Sequence, residues 1–97
     1  MVTAAKAVAQ CGGGLCVADG DRVIACLSLP IAGLMTTTDP ATLIAGEDEL
    51  YAAAASIGSS YDNPFMPLSF LPLSVIPHLK ITDRGLIDVD AFRVIAL

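Results

Sequence analysis

The residues of this 97-residue chain best suited to chemistry are its three cysteines, Cys11, Cys16 and Cys26. Metal-binding cysteines usually occur as pairs with two residues between them, and no such pair occurs here. A nucleophilic cysteine needs a base, and the chain has a single histidine, His78. Because residues far apart in the sequence can be close in the fold, a pairing of one of these thiols with His78 stays open. The spacing nevertheless favours cysteines that act as small apolar side chains in a reducing compartment.

His78 and three aspartates near it form the second group of candidates. His78 lies in an extended apolar stretch, which favours a structural or surface role. Asp88 and Asp90 would lie on the same face of a strand, but neither a fourth ligand nor a calcium-loop pattern accompanies them. Asp83 is expected to close its own turn. We therefore expect carboxylates that face solvent, and we assign no catalytic, cofactor-binding or metal-binding residue to the chain.

The charge pattern argues against two classes of partner. The net charge is -5, from ten acidic and five basic residues, and the basic residues are too scattered to bind a nucleic-acid backbone. A membrane-spanning helix needs about 20 consecutive apolar residues, whereas prolines or glycines interrupt both of the most apolar runs, 23–35 and 65–76. No targeting signal is visible. We therefore expect a cytoplasmic protein that binds neither nucleic acid nor membrane.

The chain is also unusually apolar for its size. Hydrophobic residues make up 55% of it and charged residues 15%, and the mean hydropathy is +0.71. A small domain has a large surface for its volume and normally needs more polar residues to cover it. Because large apolar patches are uncommon on soluble monomers, we expect a second subunit or another domain of the same polypeptide to cover part of this surface.

Local signals predict the elements of the first half of the chain. The alanine-rich segment 3–10 predicts a helix that glycines 12–14 stop. An Asp-Gly turn at 19–21 joins two β-prone segments, 15–18 and 22–29, and predicts a hairpin. Asp39 followed by Pro40 is typical of a helix start. We expect this second helix to end at Gly58 and to be weakest, or to break, at Gly46.

Prolines shape the prediction for the second half. Because proline lacks the amide hydrogen that a central strand donates, the prolines in 65–77 predict extended segments and turns, or a sheet edge. Segments 79–81 and 86–89 flank a turn signal, and 92–97 is the candidate for a last strand. The whole order predicts an α+β fold, a single compact domain over residues 1–97 with two helices and a small, mainly antiparallel sheet.

Three strings carry a resemblance to a known family. They read LPIAGLM at 29–35, NPFMPLSFLPLSVIP at 63–77 and LKITDRGLIDV at 79–89. In this order they resemble the C-terminal region of the adenine deaminases of the amidohydrolase superfamily, and the resemblance spans essentially the whole chain. The second string is the most specific, because few unrelated proteins share so odd a run.

The resemblance implies a function for a longer parent protein. Adenine deaminases hydrolyse adenine to hypoxanthine and ammonia, a step of purine salvage, with divalent manganese or iron in a (β/α)8 barrel where the metal activates water. Such a barrel needs at least about 200 residues, and the superfamily's paired-histidine motif is absent from this sequence. The resemblance therefore implies a non-catalytic accessory domain that contains no metal and whose partner is the catalytic barrel of the same polypeptide.

Two other functions stay open: a stand-alone, small homo-oligomeric binding module related to that domain, and a small enzyme, against which the missing ligands argue. For the accessory domain and for the binding module alike, we predict that the apolar segment 65–76 and the loop 31–35 form a docking surface, for the barrel or for a second copy in a homo-oligomer. The alternative is that these residues form the domain's own core. The predicted docking residues are Ile31, Leu34, Met35, Phe65, Met66, Leu68, Phe70 and Leu71.

Overall fold

A computed structural model describes residues 1–95 of the chain, and it confirms the predicted α+β class. The helices are α1 (Val2–Gln10), α2 (Pro40–Ser56) and α3 (Phe65–Ser69), and the strands are β1 (Gly14–Asp19), β2 (Arg22–Ser28), β3 (Leu79–Thr82), β4 (Gly85–Asp88) and β5 (Arg93–Ile95). The strands form two antiparallel sheets, β1-β2 and β3-β4-β5. Contacts divide the chain into two compact units, unit 1 (Met1–Asp62) and unit 2 (Asn63–Leu97).

Unit 1 is a hairpin packed between two helices. The tight turn at Gly20 and Asp21 joins β1 to β2, as predicted. Successive side chains of a strand point to opposite faces: Leu27 reaches α2, whereas Cys26 contacts the residue that ends α1. The two helices therefore cover opposite faces of the hairpin. The buried apolar side chains of this unit are Val17, Leu29, Leu50, Ala53 and Ala54.

Helix α2 begins as predicted but does not break. The Asp39 carboxylate accepts a hydrogen bond from the Thr42 amide at 3.1 Å and one from the Thr42 hydroxyl at 2.6 Å, which caps the helix. The helix continues through Gly46 to Ser56, so the predicted break is wrong. A Cβ at Gly46 would lie 2.8 Å from Cδ1 of Leu27, and the missing side chain therefore makes room for the β2 residue that packs there.

The glycines that follow α1 allow two backbone segments to touch. The Gly13 carbonyl accepts a hydrogen bond from the Leu29 amide at 3.0 Å, and a Cβ on Gly13 would lie 2.8 Å from Cα of Gly33. At Gly14, where φ is +140°, a Cβ would overlap the Leu27 carbonyl oxygen. Only glycine fits such an approach. The glycine cluster thus positions the loop that carries the string LPIAGLM.

Unit 2 begins with a short helix where extended chain was predicted. The Asn63 side-chain oxygen accepts hydrogen bonds from the amides of Phe65 and Met66, each at 3.1 Å, and so starts α3. Pro67 is the third residue of the helix, where an amide has no partner within the helix and its loss costs little. The prediction of extended chain for this segment is therefore wrong up to Ser69, and turns follow to Ile76.

The three-stranded sheet of unit 2 turns a lysine inwards. Lys80 in β3 is buried, and its ammonium group donates to the carbonyls of Pro77 and Leu79, both at 3.1 Å. Among the described residues of unit 2, Val89 is the one buried apolar side chain. The turn between β3 and β4 is held by the Thr82 hydroxyl rather than by the aspartate we predicted. The last strand is β5, and residues 96–97 of that prediction lie outside the described residues.

Candidate docking surface

The apolar side chains of the α3 segment lie on the surface. Met66, Leu68, Phe70 and Leu71 are all exposed, while Phe65 is half-buried. The helix has only five residues, which is too short to bury a continuous apolar face. The apolar side chains of the turns that follow it are exposed as well. Exposure argues against the alternative that these four residues form the domain's own core. Whether they dock on a partner remains a prediction.

The sheet of unit 2 adds apolar residues that the sequence did not single out. Leu79 and Ile81, on either side of the buried Lys80, are 54% and 64% exposed. Directly opposed residues of antiparallel strands share a face, and the register places Leu86 opposite Ile81 and Ile95 opposite Leu86. This face of the sheet therefore carries four apolar side chains, two exposed and two half-buried, beside the Asp88–Arg93 pair. We call this face, together with the exposed α3-segment residues, the unit 2 apolar surface.

A second apolar surface belongs to unit 1. Ile31 and Met35 exchange two backbone hydrogen bonds, at 3.0 and 3.1 Å, and close a tight loop. The side chains of Ile31, Leu34 and Met35 are exposed, Leu34 to 77%. All three were predicted docking residues. Because this loop and the α3 segment lie in different units, we treat them as two surfaces and name this one the loop tip.

The polar candidates do not assemble into a reactive site. His78 Nδ1 lies 2.6 Å from Asp90 Oδ2, but both side chains are exposed, to 83% and 55%. Asp90 lies beyond the end of β4, and Asp88 is half-buried, accepts the Ala91 amide at 3.0 Å and lies 3.9 Å from Arg93. The prediction that the two aspartates share one strand face is therefore wrong, because Asp90 lies outside β4; Asp90 faces solvent as expected, and Asp88 does so only in part.

Residues 1–95 contain neither a candidate metal site nor a membrane-spanning helix. In this part of the chain no three histidine, cysteine or carboxylate side chains are arranged to hold a metal ion. No helix in the same residues is both long and apolar enough to cross a bilayer.

The cysteines, in contrast, come together. Cys11 Sγ lies 3.5 Å from Cys26 Sγ, and Cys16 is directly opposite Cys26 in the hairpin. Partial burial of the sulfur and the two neighbouring thiols raise the pKa of Cys26 from 9.0 to about 11. All three thiols are free. Sequence spacing gave no sign of this cluster, because it depends on the strand register and on where α1 ends.

These features define a class of protein, a small α+β domain with a small core and many exposed large apolar side chains. Comparison with known sequences then identifies the family. A family model described as the adenine deaminase C-terminal domain matches residues 1–93, and the chain belongs to this family, as the resemblance of its three strings implied.

Curated relatives place the match within longer proteins. The adenine deaminase of Oleidesulfovibrio alaskensis is 47% identical over 97 residues, which are 100% of this chain and 17% of the relative. That of Desulfatibacillum aliphaticivorans is 46% identical over the same length and shares. That of Brucella abortus is 46% identical over 93 residues, 96% of this chain and 16% of the relative. The chain therefore spans about a sixth of the length of these relatives.

Proposed function

We propose that this chain acts as the C-terminal accessory domain of an adenine deaminase and packs through the unit 2 apolar surface on the rest of that enzyme. The observation that carries the proposal is the orientation of β3, which buries Lys80 and exposes Leu79 and Ile81. A sheet with one solvated face normally does the reverse. This arrangement is stable when another protein surface covers the apolar side chains.

The rest of the same enzyme is the partner that fits this surface best. The match covers 17% of the Oleidesulfovibrio alaskensis enzyme, so most of that polypeptide is available to supply the cover. Unit 2 (Asn63–Leu97) is also shorter than the roughly 40 residues below which a domain usually needs a disulfide, a metal or a partner.

In this proposal the parent enzyme hydrolyses adenine to hypoxanthine and ammonia with a divalent metal, manganese or iron, held in its barrel. The residues of this chain do not fit such a metal site, because the single histidine, His78, is exposed and paired with Asp90. The chain would therefore contribute packing rather than metal ligands. Its three free thiols suit a cytoplasmic location, which is part of the same proposal.

A chimera tests this function. The matched C-terminal segment of the Oleidesulfovibrio alaskensis enzyme is replaced by this chain, and ammonia release from adenine is compared with that of the enzyme truncated before the segment. We expect activity in the chimera and at least about a tenfold loss in the truncated enzyme. The isolated chain should release no ammonia, even with added manganese or iron. Chelator-sensitive ammonia release by the isolated chain would refute the accessory role.

A pair of lysine substitutions tests which surface docks. Ile81→Lys places a charge on the unit 2 apolar surface, and we expect it to reduce the activity or the thermal stability of the chimera markedly, because a charge is costly to bury without a partner. Thr37→Lys adds the same charge at an exposed threonine of unit 1 and should have little effect. Equal behaviour of the two variants would show that the sheet face is not the docking surface.

A further inference from the structure

Cys11 and Cys26 are poised to react with each other. Their sulfur atoms lie 3.5 Å apart although 15 positions separate them in the chain. The Ser28 hydroxyl donates a hydrogen bond to the Cys11 carbonyl at 3.2 Å and holds the end of α1 beside β2. A disulfide requires an S–S distance of about 2.05 Å, so closure needs the two sulfur atoms to approach by about a further 1.5 Å.

The pair is also accessible to small oxidants. Cys26 is exposed and Cys11 is half-exposed, so neither sulfur lies in a sealed core. Cys16, the third thiol, is opposite Cys26 on the neighbouring strand. It therefore competes with Cys11 for the same partner, and the selectivity between the two pairings depends on the fold.

We propose that Cys11 and Cys26 form an oxidation-sensitive site that closes to an intramolecular disulfide when hydrogen peroxide reaches it, and that Cys16 remains a thiol. In the first step one sulfur attacks peroxide, the O–O bond breaks, and a sulfenic acid and one water form. In the second step the other sulfur attacks the sulfenic sulfur, and a second water leaves with the thiol proton. Overall, two thiols and one peroxide give one disulfide and two waters.

The surroundings of Cys26 disfavour its thiolate form. Partial burial and the neighbouring thiols raise its pKa to about 11, so Cys26 is protonated at neutral pH. Because the thiolate is the nucleophile, we expect the disulfide to form faster as the pH rises towards the pKa of Cys26. The bond would join the end of α1 to the middle of β2.

Peptide mapping of the oxidised 97-residue chain tests the site. The chain is treated with a small excess of hydrogen peroxide in the presence of a chelator, which excludes metal binding as a cause of thiol loss. We expect one free thiol per chain, a mass lower by two hydrogens, and a cross-linked peptide that contains Cys11 and Cys26. The melting temperature should rise by at least about 5 °C and return to its starting value with dithiothreitol.

Three serine variants and one control make the test selective. Cys16→Ser should still form the cross-link, whereas Cys11→Ser and Cys26→Ser should not form it at the same peroxide concentration. In concentrated urea the selectivity for this pair should disappear, because it comes from the fold. A Cys16–Cys26 cross-link in the folded chain, disulfides only between chains, or oxidation to sulfinic acid without a cross-link would each overturn the proposal.

Discussion

Cys26 lies on the hairpin face that meets the end of α1, and the three-thiol contact made there is the feature hardest to predict from the sequence. The turn pairs Asp19 with Arg22, and a regular ladder from that turn would place Ala25 opposite Cys16. A bulge between Val17 and Ala18 shifts the register by one residue and brings Cys26 opposite Cys16 instead. A bulge adds one unpaired residue to a strand and increases its local twist. The spacing of residues in the sequence does not reveal where a bulge occurs.

The raised pKa of Cys26 predicts that the folded chain loses stability at alkaline pH. In the unfolded chain this thiol ionises near 9.0, and in the folded chain near 11. Well below pH 9 the Cys26 thiol is protonated in both the folded and the unfolded chain, and its contribution to the free energy of unfolding is fully present. Between pH 9 and about 11 the unfolded state loses its proton first, so the free energy of unfolding falls.

Urea unfolding at a series of pH values measures this effect. We expect the stability of the natural chain to decline more steeply above pH 9 than that of Cys26→Ser, which lacks the titrating group while other groups titrate in both. Parallel pH profiles for the two proteins would contradict the effect of the thiol environment.

Gly14 provides a second prediction at the scale of a single residue. An alanine there would overlap the Leu27 carbonyl oxygen and would have to adopt φ near +140°. We expect Gly14→Ala to lower the free energy of unfolding by about 3 kcal/mol. Gly12→Ala is the matched control, because φ is also positive but the space around it is open, and it should cost about 1 kcal/mol. Similar losses in both variants would show that the close approach is not what requires glycine at position 14.

At the scale of elements, local sequence signals correctly predicted the features that short-range interactions determine. The Asp39 cap, the end of α2 near Gly58 and the hairpin turn at Gly20 all follow from short-range hydrogen bonds and backbone preferences. The error at α3 arose because the prolines of this segment were weighed only against a central strand, which led to a prediction of extended segments and turns, or a sheet edge. In the first turn of a helix a proline loses nothing that the helix would use.

The continuity of α2 through Gly46 leads to a double-mutant prediction. Gly→Ala in a helix normally stabilises by about 1 kcal/mol, but here the new methyl group would press on Leu27, 2.8 Å away. We expect Gly46→Ala alone to change the stability by less than about 0.5 kcal/mol, because displacement of Leu27 offsets the helical gain.

The same substitution in a Leu27→Ala background should give the full gain of about 1 kcal/mol, because the obstacle is absent. Chemical unfolding of the four proteins of the cycle measures the coupling. If Gly46→Ala stabilises both backgrounds equally, then contact with Leu27 is not the reason for glycine at this position.

At the scale of the whole molecule, the sequence predicted an apolar surplus and two of the segments that expose it, but not the contribution of β3. The alternation of Leu79, Lys80 and Ile81 identifies two faces of a strand, and a simple pattern rule would turn the lysine outwards. The carbonyls of Pro77 and Leu79 hold the ammonium group inside instead. These contacts depend on the path of the preceding loop, which no local pattern in the sequence specifies.

The surplus predicts that the isolated chain associates with itself. Without the rest of a parent enzyme, the exposed side chains of Met66, Phe70 and their neighbours are best covered by a second copy. We expect light scattering at high micromolar concentration to show dimers or larger species. Phe70→Glu should shift the population towards monomer, whereas Ser60→Glu, in an exposed polar loop, should not.

The circular dichroism spectra of the two variants distinguish a lost contact from a lost fold. A folded, monomeric Phe70→Glu protein supports a docking role for the segment. A monodisperse monomer of the natural chain at high concentration would contradict self-association, and global unfolding of Phe70→Glu would show that Phe70 contributes to the domain's own packing.

The inward orientation of Lys80 also bears on the order of events during protein synthesis. In a deaminase that carries this domain at its C-terminus, the ribosome releases the sheet of unit 2 last, and domains made earlier have already had time to fold. The proposed cover for Leu79 and Ile81 would then exist before these residues emerge. An apolar sheet face, which is an aggregation hazard while it is free, would be exposed only briefly. The same domain placed at the start of a polypeptide would have to wait for its cover, and we expect that rearrangement to yield more aggregated protein.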